Sequence, residues 1–113
     1  MNLKLLSKGN VLVFGDIILD RYISGSVDRV SPEAPVPVLK PSDEDIRLGG
    51  AANVAVNLSS LGSKVTLIGV TGKDASSDQV RVLLEQNKIR NALSKSVNPT
   101  ISKLRFLAGQ QQL

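Results

Sequence analysis

The chain has 113 residues, 42% of them apolar and 3% aromatic, with a formal net charge of +4 and neither cysteine nor histidine. That length suits one modest domain whose core is mostly Val, Leu, Ile and Ala. Disulfides, thiolate zinc sites and Ser-His or Cys-His catalytic pairs are excluded, leaving carboxylates, Lys, Arg, amides, hydroxyls, backbone N–H groups and oxygen-bound magnesium. The cations are dispersed without aromatic interleaving, which argues against a nucleic-acid partner and suits anionic small molecules. Apolar runs fall far short of the ~20 residues that span a bilayer, so no membrane partner is expected. Met1-Asn2-Leu3-Lys4 carries no signal-peptide pattern, and the expected location is cytoplasmic.

In chain order, Val11-Leu12-Val13-Phe14 reads as a buried strand ending at Gly15-Asp16. Asp16 then stands at the carboxyl end of that strand, the edge where open α/β sheets bind ligands. There it could accept hydrogen bonds from neighbouring hydroxyls or cap a turn. Asp20 follows four residues on, where the chain leaves the strand.

The stretch up to Leu48 is too long for a simple connection. Prolines 35, 37 and 41 all occupy odd positions, so in an extended strand they remove N–H donors from one side. Residues 18–24 and 34–40 read as a small antiparallel flap with an edge strand, or alternatively as a proline-rich surface loop. The acidic run Asp43-Glu44-Asp45 reads as solvated.

Ala51, Val54, Ala55, Leu58 and Leu61 follow helical spacing, and Gly62 supplies the stop. The helix is preceded by Gly49-Gly50. Glycine costs a helix about 1 kcal/mol against alanine, so the pair needs another reason. One is a ligand approaching the unpaired N–H groups of the helix start, with the Asn53 amide in the first turn able to meet a sugar hydroxyl. The other is a tight turn with close helix–sheet packing.

Val65–Val70 is a second strand, and continuous apolar strands imply a sheet covered on both faces. A helix over about 77–86 has capping-box spacing at Ser76 and Gln79 and a buried stripe of Val80, Leu83 and Leu84. Gly69–Asp74 resembles a phosphate-loop end but lacks its spacing and the hydroxyl after Lys73. Asn98-Pro99-Thr100 fails as a glycosylation sequon. Thr100–Leu107 alternates as a strand, with Lys103 and Arg105 on one face, either for a phosphate or merely solvated. Ala108-Gly109 makes a turn, and Gln110–Leu113 reads as the opening of a return strand that the sequence does not complete.

Three stretches together resemble the ribokinase-like (PfkB) sugar kinases: residues 15–22 (GDIILDRY), 29–38 (RVSPEAPVPV) and 49–55 (GGAANVA). Within that family SPEAPVP is the most specific, and it is similar to the heptose 7-phosphate kinases. TISKLR at 100–105 and QQL at 111–113 resemble the same group. The resemblance implies the N-terminal part of a Rossmann-type α/β/α sandwich with a β-sheet lid, the core at about 9–17 and 48–113 and the lid at about 18–47. It implies ATP- and Mg²⁺-dependent phosphorylation of the C1 hydroxyl of D-glycero-D-manno-heptose 7-phosphate, a step of ADP-heptose synthesis for lipopolysaccharide. Lids that pair between subunits make a homodimer through the lid an expected partner.

By the same resemblance Asp16 holds sugar hydroxyls, and Asp20 and Arg21 stand at the lid entrance. Gly49, Gly50 and Asn53 bind the sugar, and Lys103 and Arg105 take the anionic end of the sugar phosphate. The family's general base lies in a G-A-G-D motif, and neither that motif nor the family's ATP and magnesium motifs occur here. No catalytic residue is therefore expected in this chain, no cofactor is expected to bind it alone, and it is expected to be inactive by itself. The alternatives are a ribokinase-like kinase for another sugar, or a non-catalytic module for sugar-phosphate binding or dimerisation.

Overall fold

The computed structural model describes the backbone over residues 9–30, 37–108 and 111–112, and side chains over 9–25 and 43–107. The elements run β1 (Asn10–Phe14), β2 (Ile17–Val30), β3 (Pro37–Gly50), α1 (Ala51–Ser60), β4 (Lys64–Gly72), α2 (Ala75–Gln86), β5 (Arg90–Ser96), β6 (Ile101–Ala108) and β7 (Gln111–Gln112). They form two sheets, one of order β1-β4-β5 and one of order β3-β2-β6-β7. The chain divides into two compact units, the first comprising Met1–Leu19 and Arg47–Ser102, the second Asp20–Ile46 and Lys103–Leu113.

In the β1-β4-β5 sheet both strand pairs are parallel, with Val11 opposite Val65, Val13 opposite Leu67, and Leu67 opposite Asn91. Helix α1 packs on β4 and β1, and α2 packs on β5 and β4. The residues between form a dry layer: Ala52, Ala55, Val65, Leu67, Val80 and Leu84 are all buried. Each large aliphatic side chain buried this way contributes roughly 1.5–3 kcal/mol. The helical stripes therefore follow the sequence pattern in part: Val54 and Leu61 of the first stripe are exposed, while Ala52, outside that stripe, is fully buried.

On the opposite face of this sheet apolar side chains are exposed. Leu12 (68% exposed), Phe14 (79%), Ile68 (40%) and Val70 (56%) alternate with half-buried residues in β1 and with half-buried or buried ones in β4. Leu12 lies opposite Thr66 and Phe14 opposite Ile68, so the exposed side chains form a continuous patch. The two-sided cover expected from the apolar strands is half realised, because both helices among the described residues pack on one face. The α/β class itself holds.

Strand β5 was not expected from sequence. RNALSKS has no apolar alternation, and Leu93 is half-buried while most of its neighbours are exposed. The strand exists because β4 offers a complete row of partners, from Thr66 opposite Arg90 to Gly72 opposite Ser96. Sequence also assigned residues 48–113 to the core. The structure instead puts β6 and β7 in the second sheet, with Leu107 opposite Gln112 in antiparallel register. Ile101, Leu104 and Phe106 are exposed, as fits a strand not sandwiched between helical layers.

In the second sheet the expected edge position is realised. β3 lies at the end of the strand order and contains Pro37 and Pro41, whose missing N–H groups an edge can tolerate. Pro35 lies outside the described residues. The strands run longer than the expected 18–24 and 34–40. Arg21 of β2 donates from Nη1 to Glu44 Oε1 of β3 at 2.8 Å, so part of the acidic run takes up a cation rather than standing wholly in solvent.

Candidate functional site

Strand β1 ends at Gly15, whose φ of +155° turns the chain aside. Asp16 follows, exposed, and the chain continues into Ile17, which is 1% exposed. Ile17 lies across β4 at Gly69, where a Cβ would come within 2.7 Å of Ile17 Cγ1 and 2.9 Å of the Gly15 carbonyl oxygen. That glycine is what lets β1 and β4 close up beneath Asp16.

The glycine step meets the same point from the other side. Gly50 has φ +59° and ψ −136° and is the residue before α1. A Cβ there would strike the Asp16 carbonyl oxygen and lie 3.2 Å from Ile18 Cδ1. The Ala51 N–H donates to that carbonyl at 2.8 Å. So one of the helix's terminal N–H groups is satisfied by Asp16 main chain, and no side chain caps the helix. Gly49 is buried, whereas Gly50 and Asn53 are exposed. Of the two explanations of the pair, the geometry displays the close turn, which brings the Asp16 main chain against the helix start.

An open cleft of about 240 Å³ adjoins Asp16 at the carboxyl ends of β1, β4 and β5, lined by Gly15, Asp16, Gly69, Thr71, Ser96 and Asn98, with Val70, Pro99 and Ile101 among its apolar wall. Such a volume is below the ~300–1,000 Å³ of pockets for larger ligands and suits a small guest. A bigger hollow of about 790 Å³ lies at the other end of the sheet, along Asn10–Leu12, Lys64–Thr66 and Arg90. Parallel sheets bind at their carboxyl ends, so the smaller cleft is the candidate site.

A polar clamp holds the far wall of this cleft. Asp74 Oδ1 accepts from the Ser77 N–H at 2.9 Å and from the Thr100 hydroxyl at 2.7 Å, while Oδ2 accepts from the Thr100 N–H at 2.9 Å. The Thr100 hydroxyl oxygen in turn accepts from the Gly72 N–H at 2.9 Å. These bonds, foremost the Thr100 hydroxyl, hold the Asp74 carboxyl below the usual range. Asp74 thus caps α2 in place of the expected Ser76–Gln79 box: its extended backbone sets the carboxylate over Ser77. It also fills the start of α2 with a negative charge, consistent with rejecting a phosphate loop at Gly69–Asp74.

Of the sequence-predicted site residues, Asp16, Gly49, Gly50 and Asn53 fall in the first unit. Asp20, Arg21, Lys103 and Arg105 fall in the second. Lys103 and Arg105 are exposed. Sequence reasoning missed Ser96 and Asn98 because it missed β5, and Thr71 because it stopped the preceding strand at Val70. The signal available was Asn98-Pro99, a turn-forming pair. Among the described residues no three His, Cys, Asp or Glu side chains cluster as a metal site, and no helix is long and apolar enough to cross a membrane.

Comparison with known proteins agrees with this layout. A family model described as pfkB family carbohydrate kinase matches residues 8–113. The chain is 50% identical over its full length to the bifunctional protein HldE of Hydrogenovibrio crunogenus, covering 24% of that protein. It is 49% identical over 96% of its length to D-beta-D-heptose 7-phosphate kinase of Bordetella bronchiseptica, covering 35% of it. Among solved structures, a carbohydrate kinase from Agrobacterium tumefaciens superposes with a TM-score of 0.73 at 25% identity, over 88% of this chain and 32% of that one. The chain therefore spans about a quarter to a third of the length of these relatives.

Proposed function

Because the chain belongs to the pfkB family of carbohydrate kinases, we propose that it supplies the sugar-binding part of an ATP-dependent kinase acting on D-glycero-D-manno-heptose 7-phosphate. The acceptor is the C1 hydroxyl, and the product feeds ADP-heptose synthesis. The observation that carries this reading is the Ala51 N–H to Asp16 carbonyl bond at 2.8 Å. It brings the Asp16 main chain, an exposed glycine and the first turn of a helix together, beside a cleft that Asp16 lines at the sheet's carboxyl edge. A carboxylate there accepts from sugar hydroxyls, the Asn53 amide both donates and accepts, and the helix start favours oxygen-rich guests. Lys103 and Arg105 would hold the phosphate of the sugar, and Asp20 and Arg21 would stand where the chain enters the lid. Pairing of lids would join two copies.

Phosphoryl transfer depends on positioning and on charge stabilisation. This chain's share is positioning of the acceptor. The ATP and Mg²⁺ that such a transfer requires would be held by groups beyond those of the cleft described above. The isolated chain is accordingly proposed to bind sugar phosphate without turning it over.

Calorimetric titration of heptose 7-phosphate into the chain tests the reading. Asp16→Asn and Asn53→Ala should each weaken binding by about tenfold, the scale of one charged or well-placed hydrogen bond. Unchanged affinity in both variants would refute the site. Bisphosphate formed by the chain with ATP and Mg²⁺ would refute the lack of turnover.

A further inference from the structure

We infer that Asn98 contacts the sugar directly, as a further substrate-binding residue on the wall of the cleft that Asp16 lines. The inference rests on the reading above and extends it to the β5–β6 connection. Four polar side chains line the cleft: Asp16, Thr71, Ser96 and Asn98. Two are occupied within the protein. Thr71 is buried with its hydroxyl 2.9 Å from the Ser77 hydroxyl, and Ser96 Oγ accepts from the Asn98 N–H at 3.1 Å. The side chains of Asp16 and Asn98 are both exposed, which leaves a carboxylate and an amide to face a guest. A carboxylate accepts and an amide does both, so together they can pair with adjacent hydroxyls of a polyol, each of which donates and accepts.

The loop that carries Asn98 is held from several directions. Its N–H is tied to Ser96, and Pro99 fixes the next φ. Thr100 is bound at both its N–H and its hydroxyl by Asp74. The Asn98 carbonyl oxygen lies so close to Gly72 that a Cβ there would come within 2.7 Å of it. An amide on such a loop loses little freedom when it binds, which is the condition for a short polar side chain to add affinity. Asp74 and Thr100 act through Asn98 and are positioning residues.

The test uses the ¹⁵N-labelled chain titrated with heptose 7-phosphate. The Asn98 side-chain NH₂ resonances should shift together with the amides of Gly50–Asn53. Asn98→Ala, which keeps the backbone bond to Ser96, should weaken binding about fivefold to tenfold with an unchanged melting midpoint. If the Gly50–Asn53 amides shift while the Asn98 NH₂ stays still and Asn98→Ala binds like the parent, this inference is overturned and the sugar site stands. If neither group responds, the site itself is overturned and the role of Asn98 with it.

Discussion

Asp74 receives two hydrogen bonds from Thr100, one from its N–H at 2.9 Å and one from its hydroxyl at 2.7 Å. The two residues lie 26 positions apart. Their pairing ties the cap of α2 to the start of β6, and the Gly72 N–H bond to the Thr100 hydroxyl adds the end of β4.

Removing the hydroxyl isolates part of this clamp. In Thr100→Val the backbone bond to Asp74 survives, but the buried Gly72 N–H loses its acceptor. An orphaned buried donor costs about 1–3 kcal/mol, so urea unfolding should show that loss. Asp74→Ala removes the helix cap as well as both bonds from Thr100, and should lower the urea midpoint further than Thr100→Val does. Equal stability of Thr100→Val and the parent would show that the hydroxyl adds nothing.

The clamp also sets an acid limit. The Asp74 carboxyl titrates lower in the folded chain than its ordinary value, chiefly because the Thr100 hydroxyl and N–H groups favour the ionised form. A group with a depressed folded pKa stabilises fully above its unfolded pKa of about 4 and loses that contribution as pH falls through the folded value. Asp74→Asn should therefore flatten the decline of stability below about pH 4. Parallel acid-unfolding curves for the two proteins would exclude Asp74 as a contributor.

Gly50 is the position where an added methyl should do most harm to the glycine step. Its φ is +59°, and a Cβ would run into the Asp16 carbonyl oxygen. Strained backbone of this kind costs about 1–3 kcal/mol, before the displacement of Asp16 is counted. Gly50→Ala should lower the melting midpoint, and heteronuclear spectra should show the Ala51 amide, now separated from its acceptor, exchanging faster. An unchanged Ala51 exchange rate would mean the turn tolerates a side chain.

The parts of the fold legible in sequence were those written locally. The α1 and α2 stripes, the β1 and β4 runs and the proline pattern of β3 each follow from spacing within a dozen residues. β5 is the counter-example: Arg90-Asn91-Ala92-Leu93 carries no strand pattern, and the segment is extended because β4 pairs with it along its whole length. The site divides in the same way. Asp16, Gly50 and Asn53 could be singled out as candidates because a strand end and a helix start announce themselves. The Asp74 clamp could not, since Gly72-Lys73-Asp74 shows only a turn, and its partner is remote in sequence. Asn98 was passed over for the same reason, its significance depending on where β5 ends.

The exposed Leu12, Phe14, Ile68 and Val70 of the parallel sheet tie the chain's stability to whatever polypeptide covers them. Any surface that shields Phe14 and Val70 attaches to the native chain and not to the unfolded one. The melting midpoint should then climb as the sample is concentrated or as a shielding polypeptide is added, by mass action alone. A polypeptide in this position gains heat resistance from its company as well as from its own interior.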